Sequence, residues 1–298
     1  MSRWILFLSM LVATWSLLGC DTKDRIAGPV HGEVVLSCLG MEDLGPDYVY
    51  QGWLSSGDDL VSVGTFTVDG AGALTPDRFE VSEEHIWVAE RFIITIEPVP
   101  DDDPAPSKTR YMAGDFSVIG AISGDAWLTC GHADALGDDF SKLYGNYLLE
   151  TPTTAGDPDD YAYGIWFGIP GAPPHWGTLI SLRYLPDGWL YEGWIITPDS
   201  SISTGKFSAV SSPDSDGPGP SAGPDPGADY PGQDFIDPPL YLRGHGVWIT
   251  IEPDPDNSSE PFTLVVLADS VIADLGPFSF QALENKVESS FPTGVAAR

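Results

Sequence analysis

Residues 91–98, Arg-Phe-Ile-Ile-Thr-Ile-Glu-Pro, decide the fold, because a close copy, Val-Trp-Ile-Thr-Ile-Glu-Pro, recurs at residues 247–253. Both stretches are rich in β-branched and aromatic residues and end at a proline, which is typical of β-strands. Residues 60–68, Leu-Val-Ser-Val-Gly-Thr-Phe-Thr-Val, have a similar composition. These segments predict a chain built mainly from strands. One short helix is predicted at 82–89, where Ser82 is a suitable N-cap.

The chain contains an internal duplication. The segments Tyr-Gln-Gly-Trp-Leu (50–54) and Ser-Val-Gly-Thr-Phe (62–66) recur as Tyr-Glu-Gly-Trp-Ile (191–195) and Ser-Thr-Gly-Lys-Phe (203–207), at a constant offset of 141. Residues 94–101 recur at 249–256, where the offset is 155. The additional residues fall in 211–237, a tract of Pro, Gly, Ser and Asp that predicts a long surface loop of the second copy.

The repeated residues have structural explanations. A Trp repeated inside a strand predicts a core position, although an aromatic platform for sugar or peptide is the alternative. A Glu before a strand-ending proline predicts a carboxylate that closes a turn, and the two glycines in Ser-x-Gly are expected to leave room for a large ring, with Trp53 or Trp194 as the candidate. The motif residues are Tyr50, Gly52, Trp53, Gly64, Phe66 and Glu97 in the first copy and Tyr191, Gly193, Trp194, Gly205, Phe207 and Glu252 in the second.

Length and composition set the architecture. The 298 residues suit two domains, and the 33 Gly and 27 Pro favour many turns and few helices. We predict an all-β protein of two tandem β-sandwich (Ig-like) modules that arose by duplication, at 32–137 and 138–283. Residues 284–298 are predicted to be a poorly ordered tail.

The N-terminal residues predict export and lipidation. Arg3 precedes an apolar stretch that ends in Leu17-Leu18-Gly19-Cys20, which resembles the lipobox of bacterial lipoprotein signal peptides. We therefore expect a signal peptide at 1–19, lipidated Cys20 and a linker at 20–31, with an uncleaved membrane anchor as the alternative. This places the protein outside the cytoplasm, in the periplasm or at the cell surface, on the inner or the outer membrane.

The charge balance excludes one class of partner. The 13 Lys and Arg against 44 Asp and Glu give a net charge of −31, which argues against nucleic-acid binding. The same charge is repelled by anionic lipid head groups, so membrane attachment is expected to depend on the acyl chains.

Two cysteines remain after Cys20. Cys38 and Cys130 form an even pair in a chain predicted to be exported, which makes them candidates for a disulfide. The alternative is two buried free thiols.

The repeated motifs, followed by the segment Pro-Ala-Pro-Ser-Lys-Thr at 104–109, resemble the extracytoplasmic C-terminal domain of anti-sigma factors of the anti-sigma-K type. They are also similar to secreted or lipid-anchored proteins that carry such domains in tandem. The resemblance covers about 32–117 and 178–270, and it implies a β-sandwich with a sensing or interaction role and no known chemistry. An anchor at Cys20 departs from that family, so we expect no sigma-binding part.

Motifs for catalysis are lacking in the sequence. The five histidines are scattered, and there is no nucleophile elbow, phosphate-binding loop or zinc spacing. We predict no catalytic residue, no cofactor and a binding role toward an unknown protein or glycan partner. The alternatives are a calcium-assisted adhesion or glycan-binding module and, third, a hydrolase. The carboxylates that suit calcium are Asp101, Asp102, Asp103, Asp254 and Asp256.

Overall fold

The predicted strands are present and the all-β fold is confirmed. The computed structural model describes residues 31–119, 122–154, 157, 159–174, 177–256 and 258–298. The predicted signal peptide, Cys20 and residues 20–30 of the predicted linker lie outside the described residues. Among the described residues, no helix is long and apolar enough to span a membrane.

In the part of the chain that the structure describes, nine strands form the first sheet. They are β1 (His31–Leu39), β2 (Tyr48–Ser56), β3 (Asp59–Val68), β4 (Leu74–Thr75), β5 (Arg78–Ser82), β6 (Arg91–Pro98), β7 (Arg110–Ile119), β8 (Ile122–Thr129) and β17 (Thr293–Ala297). Their spatial order is β4-β3-β2-β6-β7-β8-β17-β1-β5, with antiparallel pairing throughout. The sheet curls in a barrel-like manner and brings β3 near β5 at its far side, where Gly64 of β3 lies against the Phe79 ring of β5.

Eight strands of the described residues form the second sheet. They are β9 (Gly145–Leu149), β10 (Gly164–Trp166), β11 (Trp189–Ile196), β12 (Ser201–Phe207), β13 (Gly232–Asp234), β14 (Gly246–Pro253), β15 (Val265–Asp269) and β16 (Gln281–Asn285). Their order, β12-β11-β14-β15-β16-β9-β10-β13, matches that of the first sheet from β3 to β5. The duplication therefore extends from the sequence motifs to the strand order, and the two sheets form two β-sandwich or barrel-like bodies.

The helices found among the described residues are few and short. The predicted helix is confirmed as α1 (Glu83–Val88), and the Ser82 hydroxyl accepts a hydrogen bond from the His85 backbone N–H at its N-terminus. A second helix, α2 (Val287–Ser290), joins β16 to β17. Two 3₁₀ turns, Pro152–Thr154 and Tyr161–Tyr163, lie between β9 and β10 among the described residues.

The predicted tail at 284–298 is wrong, because its last residues form a central strand of the first sheet. Strand β17 is inserted between β8 and β1 and pairs with both. The composition of this segment did not indicate a strand, since Thr-Gly-Val-Ala-Ala has few bulky apolar side chains. Small residues are required there, because a Cβ atom on Gly294 would lie 2.7 Å from Cys38 Sγ. The C-terminus thus completes the first copy, and a boundary at 137 does not separate the bodies.

The surface-loop prediction for 211–237 holds for only part of the tract. Residues 211–229 contain no strand, but β13 lies inside the predicted loop and its three residues are buried. Tyr230 and Phe235 on either side of β13 are also buried. The loop therefore returns to the second sheet and pairs with β10, at the edge of that sheet.

The two copies share one hydrophobic core. Tyr111 of the first copy stacks on Trp189 at a ring-centroid distance of 6.1 Å and meets Phe262 edge-on at 5.6 Å. Buried residues from both sheets belong to a single cluster, and residues 31–298 form one compact unit. The junction between the copies is therefore a packed part of the fold.

Candidate functional site

The repeated Trp and Glu of the first copy belong to one buried hydrogen-bonded chain. Trp53 in β2 donates its indole N–H to Thr95 Oγ1 at 2.9 Å, and Thr95 donates its hydroxyl to the Glu97 carboxylate. Glu97 also accepts the backbone N–H of Ser107 at 3.0 Å. The carboxylate therefore ties the loop that follows β6 to the end of that strand, and all three side chains of the chain are buried.

The second copy repeats these contacts atom for atom. Trp194 donates to Thr250 Oγ1 at 2.9 Å, Thr250 donates to the Glu252 carboxylate, and Glu252 accepts the Phe262 backbone N–H at 3.0 Å. The bonds that involve Trp, Thr and Glu are related by the sequence offsets of 141 and 155. Each Glu in the motif thus closes a loop, which is a structural role.

The repeated tyrosines and phenylalanines also pack equivalently. Tyr50 stacks on Phe66 with ring centroids 5.4 Å apart, and Tyr191 stacks on Phe207 at 5.8 Å. Each tyrosine hydroxyl donates to a backbone carbonyl eight residues earlier in the chain, at Glu42 and Arg183.

The prediction that Gly64 and Gly205 leave room for a large ring holds for Gly64 alone, and the ring is not a tryptophan. Both have positive φ, 128° and 99°, at the β-bulge of each copy, and each donates its N–H to the hydroxyl of the serine two residues earlier. Phe79 lies beside Gly64, whereas Asp214 and Asp216 lie beside Gly205, so neither glycine makes room for a tryptophan. The other two motif glycines lie against phenylalanine rings, Gly52 against Phe92 and Gly193 against Phe167.

Among the described residues, one group of three carboxylates lies close together, and it belongs to the second copy. Glu192, Glu252 and Asp256 each offer an oxygen, and these oxygens lie within 4.8 Å of one another. Lys206 Nζ lies 2.9 Å from Asp256 Oδ2 and 3.8 Å from Glu192 Oε2. Glu192 Oε1 accepts the hydroxyl hydrogen bond of Ser203 at 2.5 Å. We call Glu192, Glu252 and Asp256 the carboxylate cluster.

Electrostatics at the cluster favour a bound proton or a cation. The pKa of Glu252 is raised to about 8, mainly by burial and to a smaller extent by the negative charges of Glu192 and Asp256, against the lowering effect of the hydrogen bonds from Thr250 and Phe262. Burial also raises the pKa of Glu192, although the Ser203 hydroxyl and the Lys206 ammonium oppose this shift. Negative charge is therefore in excess at this point of the second sheet.

The free energy of unfolding is expected to fall as the pH rises from about 4.5 to about 8. In the unfolded chain Glu252 loses its proton near its ordinary pKa of 4.5, whereas the folded protein keeps the proton up to about 8. The folded state therefore binds more protons in this window, and the stabilisation is complete below it and lost above it. Urea unfolding at several pH values measures this slope.

Two variants separate the contribution of Glu252 from that of other groups. Burial also raises the pKa of Glu42 to about 7 and of Asp234 to about 6, so these two groups contribute a slope of the same sign. Glu252→Gln should reduce the slope, and Glu260→Gln, an exposed residue in the same loop, should leave it unchanged. An identical slope in Glu252→Gln and the unmodified protein would contradict the assignment.

A cleft of about 280 Å³ lies at the junction of the copies, next to the carboxylate cluster. Its acidic residues are Glu42, Asp43 and Asp47 from the first copy and Asp256 from the second. Its other lining residues are Leu44, Gly45, Tyr48, Ile96, Pro253, Pro255, Ser258 and Phe262. We call this space the junction cleft.

Hydrogen bonds between the copies form the walls of the junction cleft. Tyr48 donates its hydroxyl to the Pro255 carbonyl at 3.2 Å, and Glu42 Oε2 accepts the Thr263 backbone N–H at 2.8 Å. These bonds hold acidic and apolar groups around one opening.

The calcium ligands predicted from the sequence include only one residue of the carboxylate cluster. Asp101, Asp102 and Asp103 are exposed in a loop, where Asp101 and Asp103 accept backbone N–H groups two residues ahead. Asp254 is exposed as well, and only Asp256 of the calcium candidates joins other carboxylates.

Glu192 and Lys206 were not predicted from the sequence as residues of a site. Aligning the copies shows that they replace Gln51 and Thr65 of the first copy, two changes of opposite charge. That paired change was the available signal.

The predicted disulfide is absent, because Cys38 and Cys130 are both free thiols. Each is buried in the first body, and burial raises the pKa of Cys38 to about 12 and that of Cys130 further. Thiols held in the protonated form by an apolar core react poorly. An even number of cysteines in the sequence does not distinguish a bridge from two core residues.

Comparisons with protein-family models, curated proteins and solved structures find no match to this chain. The resemblance to anti-sigma factor domains therefore rests on the sequence motifs alone, and the function is argued from the geometry.

Proposed function

We propose that this protein is a non-enzymatic extracytoplasmic lipoprotein with a sensing or interaction role, and that it binds its partner at the junction cleft. The observation that carries this proposal is the cleft itself, which combines acidic side chains of both copies with an apolar wall. Binding sites commonly join a few polar groups to apolar surface in a concave region of a rigid scaffold. A membrane tether at Cys20 belongs to the same proposal.

The roles of the repeated residues support binding over catalysis. Glu97 and Glu252 accept hydrogen bonds from a threonine hydroxyl and a backbone N–H, and both are buried within a sheet. A catalytic carboxylate needs access to a substrate, and these two side chains close loops. The conspicuous motif thus stabilises the scaffold, and the cleft is the candidate for recognition.

The chemistry of the junction cleft favours a cationic partner segment. Glu42, Asp43, Asp47 and Asp256 line it, and the net charge of −31 attracts a basic partner over a longer range. Tyr48 and Phe262 offer apolar surface to the aliphatic stem of a lysine or an arginine. We therefore propose a protein partner that presents an extended basic segment.

A binding measurement tests this function. The protein with Cys20→Ser is titrated into a fluorescein-labelled lysine-rich peptide, and anisotropy gives the dissociation constant. Asp43→Asn with Asp47→Asn is expected to weaken binding about tenfold or more, because two charges that face the ligand are removed. The same preparation should show no turnover of glycoside, peptide or ester substrates.

A matched control variant removes the same number of negative charges at a position away from the junction cleft. Asp58→Asn with Asp59→Asn removes two exposed carboxylates at the opposite end of β2 from Tyr48. This variant should bind within about twofold of the parent, since screened charges far from the ligand contribute little. Equal weakening in both double variants would show attraction by net charge alone and would overturn the cleft as the site.

A further inference from the structure

We propose that the carboxylate cluster of Glu192, Glu252 and Asp256 is a binding site for a divalent cation of the calcium class, which takes the place of the Lys206 ammonium group. This site shares Asp256 with the junction cleft but differs from it in Glu192 and Lys206, which do not line the cleft. Among the described residues, such a group of carboxylates is found in the second copy.

The distances fit a hard cation with oxygen ligands. One oxygen from each of the three carboxylates lies within 4.8 Å of the other two. Calcium binds oxygen at about 2.3–2.6 Å, so two ligands of one ion lie up to about 5 Å apart. Three carboxylates already at this spacing need only small side-chain movements to share an ion.

A buried oxygen without a hydrogen-bond donor gives a second, independent indication. Glu192 is 4% exposed, and its Oε2 atom accepts no hydrogen bond. The atom faces Lys206 Nζ at 3.8 Å, which is beyond hydrogen-bond length. A buried carboxylate oxygen without a donor is costly, and a metal ion between Glu192 and Asp256 would satisfy it.

Charge balance also favours a divalent ion. Once Glu252 gives up its proton, as a bound metal ion requires, one ammonium group stands against three carboxylates. Asp216 of the neighbouring loop adds a further negative charge near Glu192. A doubly charged ion compensates more of this excess than Lys206 does. The lysine can leave, since its side chain is 24% exposed and its four-carbon stem is flexible.

The first copy supplies the comparison within the same chain. Gln51, Thr65, Glu97 and Asp101 stand at the positions of Glu192, Lys206, Glu252 and Asp256. One carboxylate is replaced by an amide, and Asp101 is exposed. The loop-closing glutamate is therefore common to both copies, whereas the group of three carboxylates is specific to the second.

Terbium luminescence tests the site, because Tb³⁺ replaces Ca²⁺ at oxygen ligands and is excited through a nearby tryptophan. Trp194 is bonded to Thr250, which is bonded to Glu252, so it lies close enough to transfer energy. The full chain with Cys20→Ser should show saturable Tb³⁺ emission that Ca²⁺ displaces. Lys206→Thr, which introduces the residue of the first copy, should lower the half-saturation concentration about tenfold or more, since it removes a competing positive charge.

Two further variants complete the test. The double variant Glu192→Gln, Lys206→Thr carries the pair of residues that the first copy has at these positions. The first copy is folded with that pair, so the variant should fold, and it should lose the saturable emission. Glu97→Gln changes the equivalent loop-closing residue of the first copy and should leave emission unchanged. Circular dichroism verifies that each variant is folded.

The outcomes are distinguishable. If neither the parent nor Lys206→Thr shows saturable Tb³⁺ emission, the cation site is overturned. It is also overturned if the Glu192→Gln, Lys206→Thr variant keeps its affinity for Tb³⁺. Neither result bears on peptide binding at the junction cleft, which is measured without a metal.

Discussion

Replacing Trp194 by alanine is expected to lower the free energy of unfolding by about 3–5 kcal/mol. The side chain is 2% exposed and is among the largest in the core. Its removal leaves a cavity and also deprives Thr250 of the indole N–H that it accepts. Trp53→Ala should have an effect of similar size, because this side chain is also buried and donates the equivalent hydrogen bond to Thr95.

Urea unfolding followed by circular dichroism measures these changes, and two variants resolve their origin. Trp194→Phe keeps most of the ring volume and loses the N–H, so a loss of about 1–3 kcal/mol would report the hydrogen-bonded chain alone. Trp127→Ala, where the side chain is 75% exposed, should change the free energy by less than about 0.5 kcal/mol. A Trp194→Ala variant as stable as Trp127→Ala would contradict the buried chain.

Local pattern was sufficient to predict the strands and the duplication. The alternating and β-branched stretches at 91–98 and 247–253 became β6 and β14, because their side chains suit a buried sheet on both faces. Ser82 with Glu83 and Glu84 likewise specified α1 through N-cap chemistry. In each case the information lies within a few residues of the element that it determines.

Features that depend on distant parts of the chain could not be predicted from one sequence. Strand β17 is recognisable only beside β1 and β8, since its small residues fit the space between them. The junction cleft depends on residues 42–48 meeting residues 253–262, which no local pattern specifies. Strand β13 could not be predicted because the Pro and Gly content of the tract around it is typical of disorder. Its residues Gln233 and Asp234 are buried because they lie beside β10.

Removing the C-terminal strand is expected to unfold the first body. A chain that ends at Phe291 lacks β17, so β8 and β1 each lose their partner in the middle of the sheet. Ala296 is fully buried there, beside a core that includes Leu36 and Leu128. Two unpaired edges and an opened core cost more than the margin of about 5–15 kcal/mol that stabilises ordinary domains.

The truncated chain should therefore bind a hydrophobic dye and lose its cooperative urea transition, whereas Thr293→Ala, an exposed change in the same strand, should preserve both. A synthetic peptide of residues 287–298 should restore the transition by adding the missing strand. A Gly294→Val peptide should fail, because a Cβ atom at that position meets Cys38 Sγ at 2.7 Å. Cooperative unfolding of the truncated chain at the parent midpoint would mean that the first body does not need its C-terminal strand. If only the matched peptide rescues the fold, then the first copy is completed by residues that lie beyond the whole of the second, and the two copies must fold as one unit.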